Sequence, residues 1–294
     1  MSLCSMTLAN VLPTKIPTAP GIEIAKSHHI VFDGCALSNM GGYAMRFHEG
    51  THSSRFENGI VQYTGAGGII LGDWNEPSWE RSHHNVIRNN YIANGGWMLP
   101  GAVGIFVGNT FANVIEHNDI GHFYNSGIHS GSWVPGAYGN EIKYNHVFEI
   151  GKSVGADLGG IYVLKDQPGT VVAFNRVHDI THYYGGYGGL GIYLDGYNYN
   201  PEGANAPSSG IRVEKNLVYR TSSESFYHNF GRENQVVNNI FALGKLGGIY
   251  LGPSENHLSF TTQRNIIYTR SPIAVSMRYI VNSIKCDDCT RLVF

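Results

Sequence analysis

Residues 87–92 read IRNNYI, residues 115–120 IEHNDI and residues 142–147 IKYNHV. Each places an aliphatic residue three positions before an Asn and another two positions after it. The same unit recurs as FDGCAL (32–37), FENGIV (56–61), VAFNRV (172–177), VEKNLV (213–218), VVNNIF (236–241) and TQRNII (262–267). Its marker residues are Gly34, Asn58, Asn90, Asn118, Asn145, Asn175, Asn216, Asn239 and Asn265, at separations of 24, 32, 28, 27, 30, 41, 23 and 26. A second element follows most markers: GGIIL (67–71), VGIFV (103–107), SGIHS (126–130), GGIYV (159–163), LGIYL (190–194), SFYHN (225–229) and GGIYL (247–251). Both elements alternate in polarity over too few residues for a helix, so they read as strands. One such unit cannot bury its own aliphatic side chains. Stacked units bury a continuous column and pair every strand with its neighbours. The expected fold is all-β: a single-stranded right-handed parallel β-helix, a pectate-lyase-like solenoid of about nine or ten coils with three strand columns and few helices. The recurrent Asn is expected to form an internal amide ladder.

Composition agrees with this. The 294 residues include 38 Gly, 14% charged residues and 12% aromatics, unlike a disordered chain or a helical bundle. A formal net charge of -2 offers nucleic acid no electrostatic footprint. No apolar run is long enough to cross a membrane as a helix. The Pro-broken first 25 residues do not read as a signal peptide. Residues 1–25 are expected to be irregular, 26–282 to form the β-helix and 283–294 a tail. No capping helix is evident at either end, so irregular segments or self-association through the uncapped ends are expected. Cys286 and Cys289 make a C-x-x-C without a second pair, so no metal is expected, nor any cofactor.

Insertions flank the second element on both sides. Before it come NGGWMLPGAV (94–103), IGKSVGADLGG (150–160) and ITHYYGGYGGLG (180–191). After it come GDWNEPSWERSHH (72–84), GSWVPGAYG (131–139), LKDQPGT (164–170) and DGYNYNPEGANAPSSG (195–210). That makes the face a walled groove, the usual binding face of a solenoid. Aligning the strands predicts Ile69, Ile105, Ile128, Ile161, Ile192, Phe226 and Ile249 inward. It predicts Ile70, Phe106, His129, Tyr162, Tyr193, Tyr227 and Tyr250 outward. An aromatic row suits carbohydrate, and it equally suits a satellite core beneath the loops. Asp157 precedes one groove strand and Asp195 ends the next, interrupting a mostly small or apolar column. Two carboxylates on adjacent coils are what glycoside hydrolysis requires, although isolated turn-capping aspartates look the same.

Four runs carry a family resemblance: SVGADLGGIYVLKDQPGTVVAFNRVHDI (153–180), YGGLGIYLDG (187–196), NLVYRTSSESFYHNFGRENQVVNNIFA (216–242) and ENHLSFTTQRNIIY (255–268). They resemble the β-helical glycosidases of glycoside hydrolase family 141, over roughly residues 90–268. The resemblance implies an α-L-fucosidase-like or xylanase-like enzyme, extracellular or periplasmic, with Asp157 and Asp195 as the acidic pair. It adds Glu255 and His257 as an E-x-H feature of the groove. It also draws in the segment Tyr227, His228 and Asn229, where such proteins carry a His-rich stretch. Gly196 stands where they usually carry Glu. With His129, Trp133, Tyr162 and Tyr193, these form the expected substrate-binding set. The apolar flanks of Asp157, Ala156 and Leu158, favour it as the proton-holding acid and Asp195 as base or nucleophile, though the roles are interchangeable. The offset of the two residues along their strands inclines toward inversion, and it requires the 150–160 loop to fold back over the groove. Two alternatives remain. One is a polysaccharide lyase or epimerase using Lys165 or Arg232. The other is a non-catalytic carbohydrate-binding β-helix.

Overall fold

A computed structural model describes residues 19–74, 80–196, 208–252 and 257–277, and the backbone of the strands Ile284–Asp287 and Thr290–Val293. Three parallel sheets of ten strands each wind about one core, and no helix occurs among the described residues. Strands joined by such crossovers wind right-handed, because a right-twisted strand packs back onto its sheet only in that sense. Pairing begins at Ile22–Ala25 and ends at Thr290–Val293, so strands occur in both stretches expected to lie outside the stack. The expectation for the ends falls largely on residues 1–18 and 278–283, outside the described residues.

The aliphatic columns stack in register. In the first sheet Ile69, Ile105, Ile128, Ile161, Ile192, Phe226 and Ile249 lie side by side, as the sequence predicts. Phe56, Ile87, Ile115, Ile142, Val172, Val213 and Val236 form the second column. All of these are buried, each contributing about 1.5–3 kcal/mol to stability.

The Asn unit spans two strands rather than one. In the coil at 141–150 the chain runs Glu141–Lys143, turns at Tyr144 with φ 57°, and continues as His146–Ile150. Asn89, His117, Phe174, Lys215, Asn238 and Arg264 turn the other coils with the same left-handed backbone. L-residues resist that conformation by about 1–2 kcal/mol each. The amide ladder beside the turn offsets it. Asn90 Nδ2 donates to Asn118 Oδ1 at 2.9 Å, and the chain of amides continues through Asn145, Asn175, Asn216 and Asn239 to Asn265. Each rung also accepts a backbone N–H from the coil before it, as at Asn118 Oδ1 and Asn90 N, 3.1 Å apart.

Two of the marker residues are not rungs. Register pairs Asp33 with Glu57 and Glu57 with Arg88. Gly34 and Asn58 therefore align with Asn89, in the left-handed turn column. Asn58 is exposed, and it is Gly59 N that donates to Asn90 Oδ1. A second buried column, formed by Asn85, Asn113 and Asn140, bonds in the same way five residues upstream. The spacing N-x-I-x-x-N is its sequence signal.

Candidate active site

The groove strands Gly159–Leu164, Leu190–Asp195 and Glu224–Asn229 are the longest in the first sheet. Their outward residues Tyr162, Tyr193 and Tyr227 pair in register, and His129 and Tyr250 extend the row. Ring centroids of Tyr162 and Tyr193 are 4.6 Å apart, and those of Tyr227 and Tyr250 are 4.5 Å apart. The loops cover this row. Tyr162, Tyr193 and Tyr227 are buried in a second apolar cluster with Phe106, Trp74 and Leu190, and the buried His129 packs against Trp74, Phe106 and Tyr162. The satellite-core arrangement therefore exists, and the row meets solvent only at its rim.

Asp195 lies at the exit edge of this row and is 6% exposed. It pairs with Leu164 on one side and Asn229 on the other, the mostly small or apolar column that the sequence indicates. Its Oδ2 accepts the Tyr162 hydroxyl proton. Its Oδ1 accepts Asn229 Nδ2 at 2.7 Å and Gly196 N at 2.9 Å. Three donors favour the carboxylate, yet burial outweighs them and the pKa is pushed up to about 6. The charge of Asp157 adds to that rise.

Asp157 arrives from the opposite edge. It has φ 52°, and its N–H donates to Tyr187 O at 2.7 Å in the next wall loop. A Cβ on Gly188 would stand 2.6 Å from Asp157 N, so only Gly lets the two loops approach this closely. The Asp157 charge acts on Tyr162, Tyr187, Tyr193 and Asp195. The loop thus carries it over the tyrosines rather than away from them. Burial, reinforced by both aspartates, holds the phenols of Tyr162 and Tyr193 well above their ordinary pKa.

One expected site residue, His228, is placed away from the groove. His228 pairs with Leu194 and Leu251, members of the inward column, and is fully buried. Its Nε2 accepts Asn234 Nδ2 at 3.0 Å, so it is a core residue and does not face the groove. Glu255 lies outside the described residues. His257 is 3.3 Å from Gly231 O, at the back of the exit wall. Trp133 is 40% exposed on that wall, where Lys165 Nζ donates to its carbonyl oxygen. Two groups escaped the sequence reading. Tyr187, 45% exposed, reaches the cluster's rim with its hydroxyl 3.4 Å from that of Tyr193, and desolvation of that hydroxyl pushes its pKa up to about 12. Glu224 is buried opposite Gly247, its pKa raised by burial. An acid in an otherwise small column was its signal, the same one that marked Asp195.

The buried histidines make stability pH-dependent. Burial pushes His129 and His228 down to about 3. Unfolded histidine takes up a proton near pH 6.5, so below that pH the unfolded chain binds protons that the native chain does not. Each histidine then removes about 1.4 kcal/mol of stability per pH unit until the folded pKa is reached. Denaturant midpoints measured between pH 7 and pH 4 should fall steadily. The fall should be shallower in His228→Gln, and an unchanged slope would refute the assignment.

Among the described residues no group of three or more His, Cys, Asp and Glu could hold a metal ion. No described helix is long and apolar enough to cross a membrane. A family model described as a right handed beta helix region matches residues 20–162 and 81–267. A search of curated protein sequences finds no match. Among solved structures, a glycoside hydrolase aligns with TM-score 0.57 and 20% identity, covering 83% of this chain. This chain spans only 37% of that protein's length. An alginate lyase from Paenibacillus sp. aligns with TM-score 0.60 and 14% identity, over 92% of this chain and 94% of its own. A periplasmic alginate epimerase aligns with TM-score 0.67 and 13% identity, over 92% of this chain and 71% of its own. At such identities the likeness establishes the fold alone.

Proposed function

Since this chain belongs to the right handed beta helix family, whose groove face here carries a buried carboxyl beside a second acid, we propose that it is a glycosidase acting on a complex polysaccharide. The observation that carries this reading is Asp195, desolvated to a pKa of about 6 within a tyrosine cluster that also feels the charge of Asp157. A carboxyl that holds a proton near neutral pH is suited to protonate a departing glycosidic oxygen. The roles expected from the flanking residues are therefore exchanged. Asp195 is the acid, and Asp157 is the carboxylate that activates water or attacks the anomeric carbon. The arrival of the two acids from opposite edges favours the inverting arrangement, with water between them. The resemblance to glycoside hydrolase family 141 supports a fucoside or xylan-like substrate, and polymers of that kind are met outside the cytoplasm.

A screen of fucosides, xylans and related glycans, with Asp157→Asn and Asp195→Asn as controls, tests the reading. Tyr162→Phe provides a finer test. The Tyr162 hydroxyl lowers the Asp195 pKa. Its loss should raise that pKa and move the alkaline limb of the rate profile upward by about one pH unit. An unmoved limb would remove Asp195 from the role of acid.

A uronate lyase or epimerase is the second reading. Lys165 favours it: its backbone N–H donates to the Asp195 backbone carbonyl at 2.7 Å, which places the residue beside Asp195, and burial lowers its ammonium pKa, as a base requires. An unsaturated or epimerised product in the same screen would identify it.

A further inference from the structure

Outside the tyrosine cluster, the entry wall carries an aromatic patch that the reaction does not use. Trp97 is 60% exposed although its indole N–H is already bonded to Asn94 O at 2.9 Å. That bond fixes the ring and leaves apolar surface in water, an arrangement that favours a partner. Tyr124, one coil further on, stands edge-to-face with it, the centroids 6.5 Å apart. Lys152, from the next coil, places Nζ 4.5 Å from the Tyr124 ring centre and 5.6 Å from that of Trp97. The ammonium group is held over these two rings, and no carboxylate among the described residues pairs with it. A depression opens beside the patch, lined by Pro100, Gly101, Tyr124, Asn125, Val154 and Ala156. Ala156 is the residue before Asp157, so the depression shares a wall loop with that acid.

We infer that Trp97, Tyr124 and Lys152 form a distal subsite that binds a pyranose unit bearing an anionic substituent. The inference rests on reading the groove as a glycan-binding one. The aromatic pair supplies flat apolar surface for the ring, and Lys152 supplies the charge that selects an acidic branch over a neutral one. A polymer that crosses Asp195 and Asp157 continues over Ala156 into this depression. Substrate preference is thereby set in the wall loop that carries Asp157 and in the two coils before it.

Binding of a tetrameric uronate oligosaccharide and of neutral xylotetraose is to be measured calorimetrically on the full chain, at low and high salt. The uronate should bind more tightly, and the difference should shrink at high salt as the charge is screened. Lys152→Gln should lower uronate affinity about tenfold and leave xylotetraose unchanged. Trp97→Ala should weaken both. Equal affinity for the two probes, or a uronate affinity indifferent to Lys152→Gln, would overturn the inference. Folding of both variants is checked by their melting curves, and Lys152→Arg, which keeps the charge, should retain the preference. Because the readout is binding, it is independent of turnover. A chain that fails to cleave any glycan yet shows the Lys152-dependent preference loses the glycosidase reading and keeps this one.

Discussion

Asp195→Asn is expected to lower the rate of glycan hydrolysis by about 10²–10⁴-fold, the usual contribution of a general acid. Glycan binding and thermal stability should be unaffected or slightly improved. The substitution keeps the shape of the side chain, and its amide oxygen still accepts from Asn229 or Gly196. What it removes is the proton that a carboxyl with pKa about 6 can deliver, together with the penalty of burying a charge. An effect confined to the rate separates a catalytic Asp195 from a structural one, because loss of a structural anchor would appear in the melting temperature. Asp157→Asn should lower the rate as well and, by removing a charge that helps to raise the Asp195 pKa, should move the alkaline limb downward. If Asp195→Asn cleaves at the wild-type rate, the glycosidase assignment of this groove is wrong.

The second large effect concerns the amide ladder. Asn145→Leu is expected to destabilise the chain by about 3–6 kcal/mol, since it orphans two or more buried polar groups at about 1–3 kcal/mol each. Asn145 Nδ2 bonds Ile115 O at 2.9 Å, and its Oδ1 accepts both Asn118 N and Asn118 Nδ2. Leu fills the space and meets none of these groups. Asn58→Gly should be nearly neutral by comparison, since Asn58 is exposed and already holds a left-handed backbone that Gly adopts freely. Denaturant unfolding of both variants checks the contrast. Equal losses would mean that Asn58 is a rung after all.

That pair of variants also marks what the sequence could and could not say. The inward and outward columns of the first sheet were legible from Ile69 to Ile249, because adjacent strands align residue for residue and alternate strictly. The Asn column was legible from Asn90 onward. It slipped by one position at Asn58, because both the turn residue and the rung are Asn in the next coil, as Asn89 and Asn90. His228 shows a different kind of error. The alternation that points Tyr227 outward already points His228 inward, but a family motif is matched by its letters, and letters do not record which face a residue occupies. The choice between Asp157 and Asp195 as the proton holder was not legible at all. Flanking residues suggested Asp157, whereas the burial that raises the Asp195 pKa comes from neighbouring coils, whose Leu164 and Asn229 pair with it from 31 and 34 positions away along the chain.

Because the strands of each coil pair only with those of its two neighbours, the molecule is modular along its axis. Residues 117–143 illustrate this, since Glu116 and Lys143 are register partners. Excising this segment would join one turn to the next with the ladder running from Asn90 straight to Asn145. Duplicating it would insert a turn without altering any contact around Asp195. The stack can therefore be lengthened or shortened by whole turns while the cross-section around Asp195 stays constant. On the glycosidase reading, recombination at such joints would change how many units of a chain are gripped without first having to rebuild the place where it is cut.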